Sequence, residues 1–330
     1  MKEQIRLFEI IKSKIPNHSS LADEIEDILG VSKESVYRRI RGQKLLSFKE
    51  LKNICDKYIL SIDDIFNSSS EKSILFQYKK NTLVDINNYA IYMKQLLESI
   101  NNVAKSSSEK NLIFSAQDIP FYHFCKYPDL AFFKLYTWNT DLKCNNASFE
   151  KFCATFEKNK IVDIYEQIFQ AYLCIPSIEV WTEQTVDITL RLMEYYFDAG
   201  KFDSKDTLLF LLDRFSDLID TIRLFADEGH KNFERKIPFS LFSCSVDMEN
   251  CFMLLKKGEQ LMCFLKLYSF NIIITDNELL CADHKKWIDS LISKSILISG
   301  DGAFKERFQF FNKLKSKILT LTQKVSNHYK

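Results

Sequence analysis

Glycine and proline are scarce, with seven and five residues in a chain of 330. That scarcity excludes turn-rich barrels and favours long helices joined by polar loops. No apolar run approaches the roughly 18 residues that a membrane-spanning helix needs. The first residues, MKEQIRLFEIIKSK, mix charge into every turn and so do not read as a signal peptide. Excess charge is also missing: the net value of +1 excludes a uniformly basic nucleic-acid coat and leaves room only for a local patch. The nine cysteines are an odd number, widely spaced and without a CxxC pair, which predicts buried reduced thiols in a cytosolic, cytoplasmic protein. There is no HExxH, GxxxxGK[ST], GxGxxG or GxSxG, and the five histidines stand far apart. The expectation is therefore no metal, no cofactor and no enzyme.

What is abundant is apolar and aromatic: 46% hydrophobic residues, with 28 Phe and 14 Tyr. Such a composition fills a sizeable core. At 38.8 kDa the chain exceeds what one core usually serves, so more than one domain is expected.

Helix signals are densest in residues 1 to 66. Ile5, Phe8, Ile11 and Ile15 mark one face of a first helix that Pro16 and Asn17 end. Ser20 is placed to cap a second helix carrying Leu21, Ile25, Ile28 and Leu29, and Gly30 closes it. Ser32 is placed to cap a third after a turn too short for anything but a steep crossing. Ser47 and Glu50 read as a capping box with Leu46 and Leu51 as its apolar staple, and Ser61 with Asp64 repeats the pattern for a short helix ending at Phe66.

The third helix, in GVSKESVYRRIRG, separates its faces. Val36 and Ile40 point inward with Val31, while Lys33, Tyr37, Arg38 and Arg41 fall outside. Residues 31 to 52 carry Lys33, Arg38, Arg39, Arg41, Lys44, Lys49 and Lys52 against only Glu34 and Glu50, a net +5. Residues 20 to 30 hold four acids and no base. A solvated helix face is the plain reading of RRIR; the short turn, the caps and the separation of sign favour a surface that reads a DNA groove.

Residues 5 to 66 resemble the lambda-repressor-like (XRE) helix-turn-helix domains, and especially the BetR-type regulators of bacteria. The VSKESVYRRIRG core and the closing SIDDIF carry the likeness. Glu26 departs from it, standing where the family has a small residue four before the turn glycine. The resemblance implies that Lys33, Glu34, Tyr37, Arg38 and Arg41 reach base edges and that Ser32, Ser35, Gln43 and Lys44 lie nearer phosphates. Arg39 is counted within the same DNA-binding patch.

NSSSEKS at 67 to 73 suits a linker, and residues 67 to 110 are expected to be that linker and a connecting helix. Residues 111 to 330 are expected to form a helical regulatory or oligomerisation domain. Its strongest helices lie at 183–199 and 205–228, with a small antiparallel sheet of three or four strands near 240–275. A last helix places Phe304, Phe308, Phe311, Leu314, Ile318 and Leu321 on one stripe. The fold class expected is thus mainly α: an N-terminal helix-turn-helix bundle, a large helical region, a small antiparallel sheet and a terminal helix. In FYHFCKYPDLAFFKLYTW, residues 121–138, ordinary core is favoured over a ligand pocket, and His123 is read as packed or hydrogen-bonded rather than as a ligand.

The expected function is a sequence-specific transcriptional regulator that binds double-stranded DNA as a homodimer, with an unidentified small-molecule or protein effector for the C-terminal region and no membrane partner. The alternative is an interaction module whose N-terminal bundle docks an acidic protein.

Overall fold

The computed structural model describes residues 2–15, 20–58, 60, 62, 65, 74, 76–78, 86–138, 147–154, 158–232, 234–246, 248, 252–268 and 271–327. The chain divides into two compact units, Met1–Leu75 and Phe76–Lys330.

Unit 1 packs α1 (Lys2–Lys14), α2 (Leu21–Leu29), α3 (Lys33–Ile40) and α4 (Phe48–Tyr58) around Leu7, Phe8, Ile11, Ala22, Ile25, Val36, Ile54, Cys55 and Ile65. Gly30 closes α2 in the left-handed region at φ 62°, its N–H returning to the Glu26 carbonyl, as a C-terminal glycine should. Ser20 and Ser32 hold the extended N-cap backbone, yet neither side chain makes the capping bond. Ser47 and Glu50 do close the reciprocal box: the Ser47 N–H donates to Glu50 Oε2 at 2.8 Å and the Glu50 N–H to Ser47 Oγ at 3.3 Å. On α1 the buried face is Gln4, Leu7, Phe8 and Ile11, while Ile5 is exposed. The short helix expected to end at Phe66 lies outside the described residues apart from Ile62 and Ile65.

Unit 2 corrects the expected fold class. It holds an eight-stranded mixed sheet, not a small antiparallel one beside a helical bundle, in the order β1-β7-β6-β5-β2-β3-β4-β8. The strands are β1 (Gln77–Tyr78), β2 (Lys110–Ala116), β3 (Ser177–Trp181), β4 (Phe239–Ser243), β5 (Phe252–Lys257), β6 (Gln260–Tyr268), β7 (Asn271–Thr275) and β8 (Ile296–Leu297). β2, β3 and β4 run parallel, with Leu112 opposite Ser177 and Ser177 opposite Phe239. β5, β6 and β7 are the antiparallel strands expected near 240–275, and β5 meets β2 in antiparallel register. β4, expected among them, instead joins the parallel set, where helical crossovers carry the chain from strand to strand.

The helices of unit 2 are α5 (Ile86–Ala104), α6 (Phe121–Phe124), α7 (Pro128–Trp138), α8 (Phe149–Ala154), α9 (Lys158–Tyr172), α10 (Asp187–Asp198), α11 (Lys205–Glu228), α12 (Glu278–Ser293) and α13 (Phe304–Ser326). Leu112, Phe114, Ala116, Trp181, Phe239 and Leu241 face the large helical layer. Ile113, Leu254 and Cys263 face the other way, against Cys281 and Ile288 of α12. The sheet is therefore covered on both faces, as parallel strands require. Helix α5, expected as part of a connection, belongs to this core through Tyr89, Met93 and Ile100. On α13 the buried stripe is Arg307, Phe310, Phe311, Leu314, Ile318, Leu321 and Val325, while Phe304 and Phe308 stay exposed. No helix among the described residues is long and apolar enough to cross a membrane.

Candidate nucleic-acid interface

Helix α3 follows α2 after the turn Gly30-Val31-Ser32, with Val36 wholly buried beneath it. Burying Val36 fixes which side of α3 faces outward. Tyr37 is 42% exposed, and Lys33, Glu34, Arg38 and Arg41 are exposed with it. The Arg41 guanidinium sits 5.9 Å from the centre of the Tyr37 ring, a cation–π contact that restrains both side chains. Lys33 is engaged rather than idle: its ammonium pairs with Asp23 of α2, and that hydrogen bond pushes its pKa up.

Arg39 does not belong to this outward set. It is 3% exposed, and its guanidinium donates to Ser35 Oγ at 2.5 Å, to the Ser35 carbonyl at 3.1 Å and to Glu50 Oε1 at 2.6 Å. The cause lies in helical spacing, since Arg39 is three residues beyond Val36 and shares its buried side. Ser35, expected near phosphate, is half-buried and turned to Arg39. Partial burial pushes the Glu50 carboxyl up, but the Arg39 hydrogen bond and the Ser47 N–H together hold it below the usual carboxylate range.

Gln4 was not singled out in the sequence, yet it ties α1 to the end of α3. Its Nε2 donates to the Arg39 carbonyl at 2.7 Å and to the Lys44 carbonyl at 2.9 Å, and its Oε1 accepts from the Leu46 N–H at 2.9 Å. The loop after α3 folds back on the helix as well, the Gln43 and Lys44 N–H groups both reaching the Arg38 carbonyl. Gln43 and Lys44 consequently stand exposed beside Arg38 and Arg41, and Ser32 is exposed at the N-terminal end of α3. Such a face can offer two guanidinium forks for bidentate hydrogen bonding and an ammonium for phosphate.

Among the described residues of unit 2, the buried polar groups include a cluster around Glu179 and another around Lys134. Glu179 of β3, fully buried, lies 3.0 and 3.1 Å from His123 Nε2 through its two oxygens, and accepts from the Tyr172 hydroxyl at 2.6 Å and from Trp181 Nε1 at 2.9 Å. Burial pushes the Glu179 carboxyl up, but His123, Tyr172 and the nearby Lys231 more than offset that and leave it lowered. Lys231, itself buried, donates to the Tyr172 carbonyl at 3.1 Å, and burial drives its pKa well down. In the second cluster Lys134 Nζ donates to Asp118 at 2.8 and 3.0 Å and to Thr189 Oγ1 at 2.5 Å. His123 is thus hydrogen-bonded in the core, its ring against Tyr172, Trp181 and Phe239, and Phe124, Phe132, Phe133 and Leu135 of the same stretch of sequence are buried. Six of the seven described cysteines are buried and Cys174 is half-buried. Both clusters are buried, whereas the outward side of α3 presents its charged groups to water.

No family model, curated protein or solved structure matches the chain.

Proposed function

We propose that unit 1 is a DNA-reading head and that the chain is a sequence-specific transcriptional regulator of the lambda-repressor-like helix-turn-helix kind. The observation that carries the reading is the outward cluster of Tyr37, Arg38 and Arg41 on a short helix whose opposite side is pinned by Val36 and Arg39. A recognition helix needs that division: one side locked into the bundle, the other free to enter the major groove. Rigidity supports it further, because Gln4, Arg39 and Glu50 fix the end of α3 before any ligand arrives. Two such heads on a homodimer set the spacing of half-sites, and unit 2 supplies the second copy and the response to an effector.

Selection of bound duplexes from a random pool by the full chain tests the reading. A recovered two-fold-symmetric site, bound with steep loss of affinity on adding salt, is the expected result. Recovery of no enriched duplex, with tight salt-tolerant binding to an acidic protein instead, overturns it.

A further inference from the structure

Phe48 and Leu45 are 76% and 67% exposed, and among the described residues of unit 1 no large apolar side chain stands further out. Leu45 lies on the connection from α3 to α4 and Phe48 is the first residue of α4, both within the run RGQKLLSFK at 41–49. This connection is held rather than loose. Gln4 bonds the Lys44 carbonyl and the Leu46 N–H, and Ser47 and Glu50 lock the start of α4. Two apolar tips are therefore presented on a fixed backbone, at a standing cost in exposed apolar area.

The charges around them decide what covers them. Arg41, Lys44 and Lys49 are exposed within the same run; Glu50, the acid next in sequence, is turned inward to Arg39 and the Ser47 N–H, and Asp56 further along α4 is paired with Lys52. A second copy of this patch would set cations against cations, so a symmetric contact between copies is disfavoured. The patch is instead continuous with the outward side of α3, because Gln43 and Lys44 fold back onto the Arg38 carbonyl.

We infer that Leu45 and Phe48 are a second DNA-contacting element, resting on the apolar surface of the duplex beside the phosphates that Lys44 and Lys49 hold. This rests on the DNA reading of α3 and extends it to residues outside that helix. The apolar surface a duplex offers comes from thymine methyl groups and from the C–H faces of deoxyribose. Contact of this kind adds affinity without releasing counterions, so it shifts a plot of log affinity against log salt without changing its slope.

The test uses the full chain, the duplex enriched by selection, and the same duplex with uracil for thymine. Leu45→Ser with Phe48→Ser is expected to weaken binding about tenfold at every salt concentration, with parallel slopes. Because both side chains are exposed, the melting temperature should stay where it was; a lowered one shifts the comparison to Phe48→Ser alone. If uracil weakens the parent chain and not the variant, the contact is to thymine methyls; if uracil leaves the parent unchanged, it is to deoxyribose. Equal affinity of parent and variant overturns the inference while leaving the α3 reading intact, as does a loss carried by a shallower slope. A parent chain that binds no duplex removes the α3 reading itself.

Discussion

Arg39 of α3 and Glu50 of α4 form an ion pair 2.6 Å long inside unit 1, the arginine side chain only 4% exposed and the glutamate 19%. A basic residue in the middle of a basic run is thus spent on holding the helix, while its neighbours Arg38 and Arg41 face out. The pair predicts an asymmetric response to mutation. Removing Arg39 strands a carboxylate and the Ser35 acceptors in a poorly hydrated place, so Arg39→Ala should cost about 2–4 kcal/mol of unit 1 stability. Because Glu50 has a lowered pKa when folded, its contribution is full above its unfolded value and lost as pH falls through the folded one. Urea melts of the parent between neutral and acid pH should show that loss, and in Arg39→Ala it should shrink. An unchanged acid profile would mean that the pair does not govern Glu50.

Arg38 and Lys44 should separate two kinds of DNA contact. Arg38→Ala removes a guanidinium fork that can discriminate bases by about 1–3 kcal/mol, so sequence preference should relax. Lys44→Ala removes a charge near the backbone, so all sequences should weaken alike and the salt slope should fall by about one. Titrations of cognate and scrambled duplexes at several salt concentrations check both. The same effect from both substitutions would contradict the division of roles.

The Glu179 network predicts that unit 2 is sensitive to losing one carboxylate. Glu179→Ala leaves the His123 imidazole without its carboxylate partner and deprives the Tyr172 hydroxyl and the Trp181 N–H of their acceptor. Leaving buried polar groups unsatisfied should cost about 3–5 kcal/mol. Since burial raises and its partners lower the Glu179 pKa, with lowering as the net result, this stability also fades as pH falls through the folded value. Calorimetry should find the melting of unit 2 lowered far more by Glu179→Ala than by Glu183→Ala, whose ion pair with Lys313 is on the surface. Equal shifts would place the network outside the cooperative core.

How much of this was legible depended on how local the signal was. Gly30, the Ser47–Glu50 box and the Val36 side of α3 follow from short-range rules and appear where the sequence put them. The β5–β6 hairpin was visible for the same reason, in two apolar runs separated by KKGE. What was lost was long-range. β2 and β3, KNLIFSA and SIEVW, are strands of the covered sheet too short for periodicity to separate them from buried helix. Glu179 sits in the second of them and finds His123 across 56 positions of chain, so neither residue announces the other. Arg39 was counted with the DNA-binding patch and is buried instead: its neighbours Arg38 and Arg41 share its charge, and its partners Glu50 and Gln4 come from other helices.

Gly229 and Gly200 give a last prediction, because the same substitution meets different surroundings at each. Both hold left-handed backbone, at φ +72° and +66°. A side chain at either position is strained, at a cost of about 1 kcal/mol. At Gly200 a new Cβ meets open space. At Gly229 it would lie 3.3 Å from the Gly300 Cα and 3.5 Å from its N, backbone atoms that cannot rotate away. That backbone is itself fixed, the Gly300 N–H bonding the Ala226 carbonyl and the Gly300 carbonyl accepting from Arg307. Moving it would loosen the loop that leads from β8 into α13. Gly229→Ala should therefore destabilise unit 2 by about 1 kcal/mol more than Gly200→Ala, through the displacement added to the shared strain. Urea denaturation of the two variants reads the difference directly, and equal midpoints would show that the Gly300 loop yields without cost.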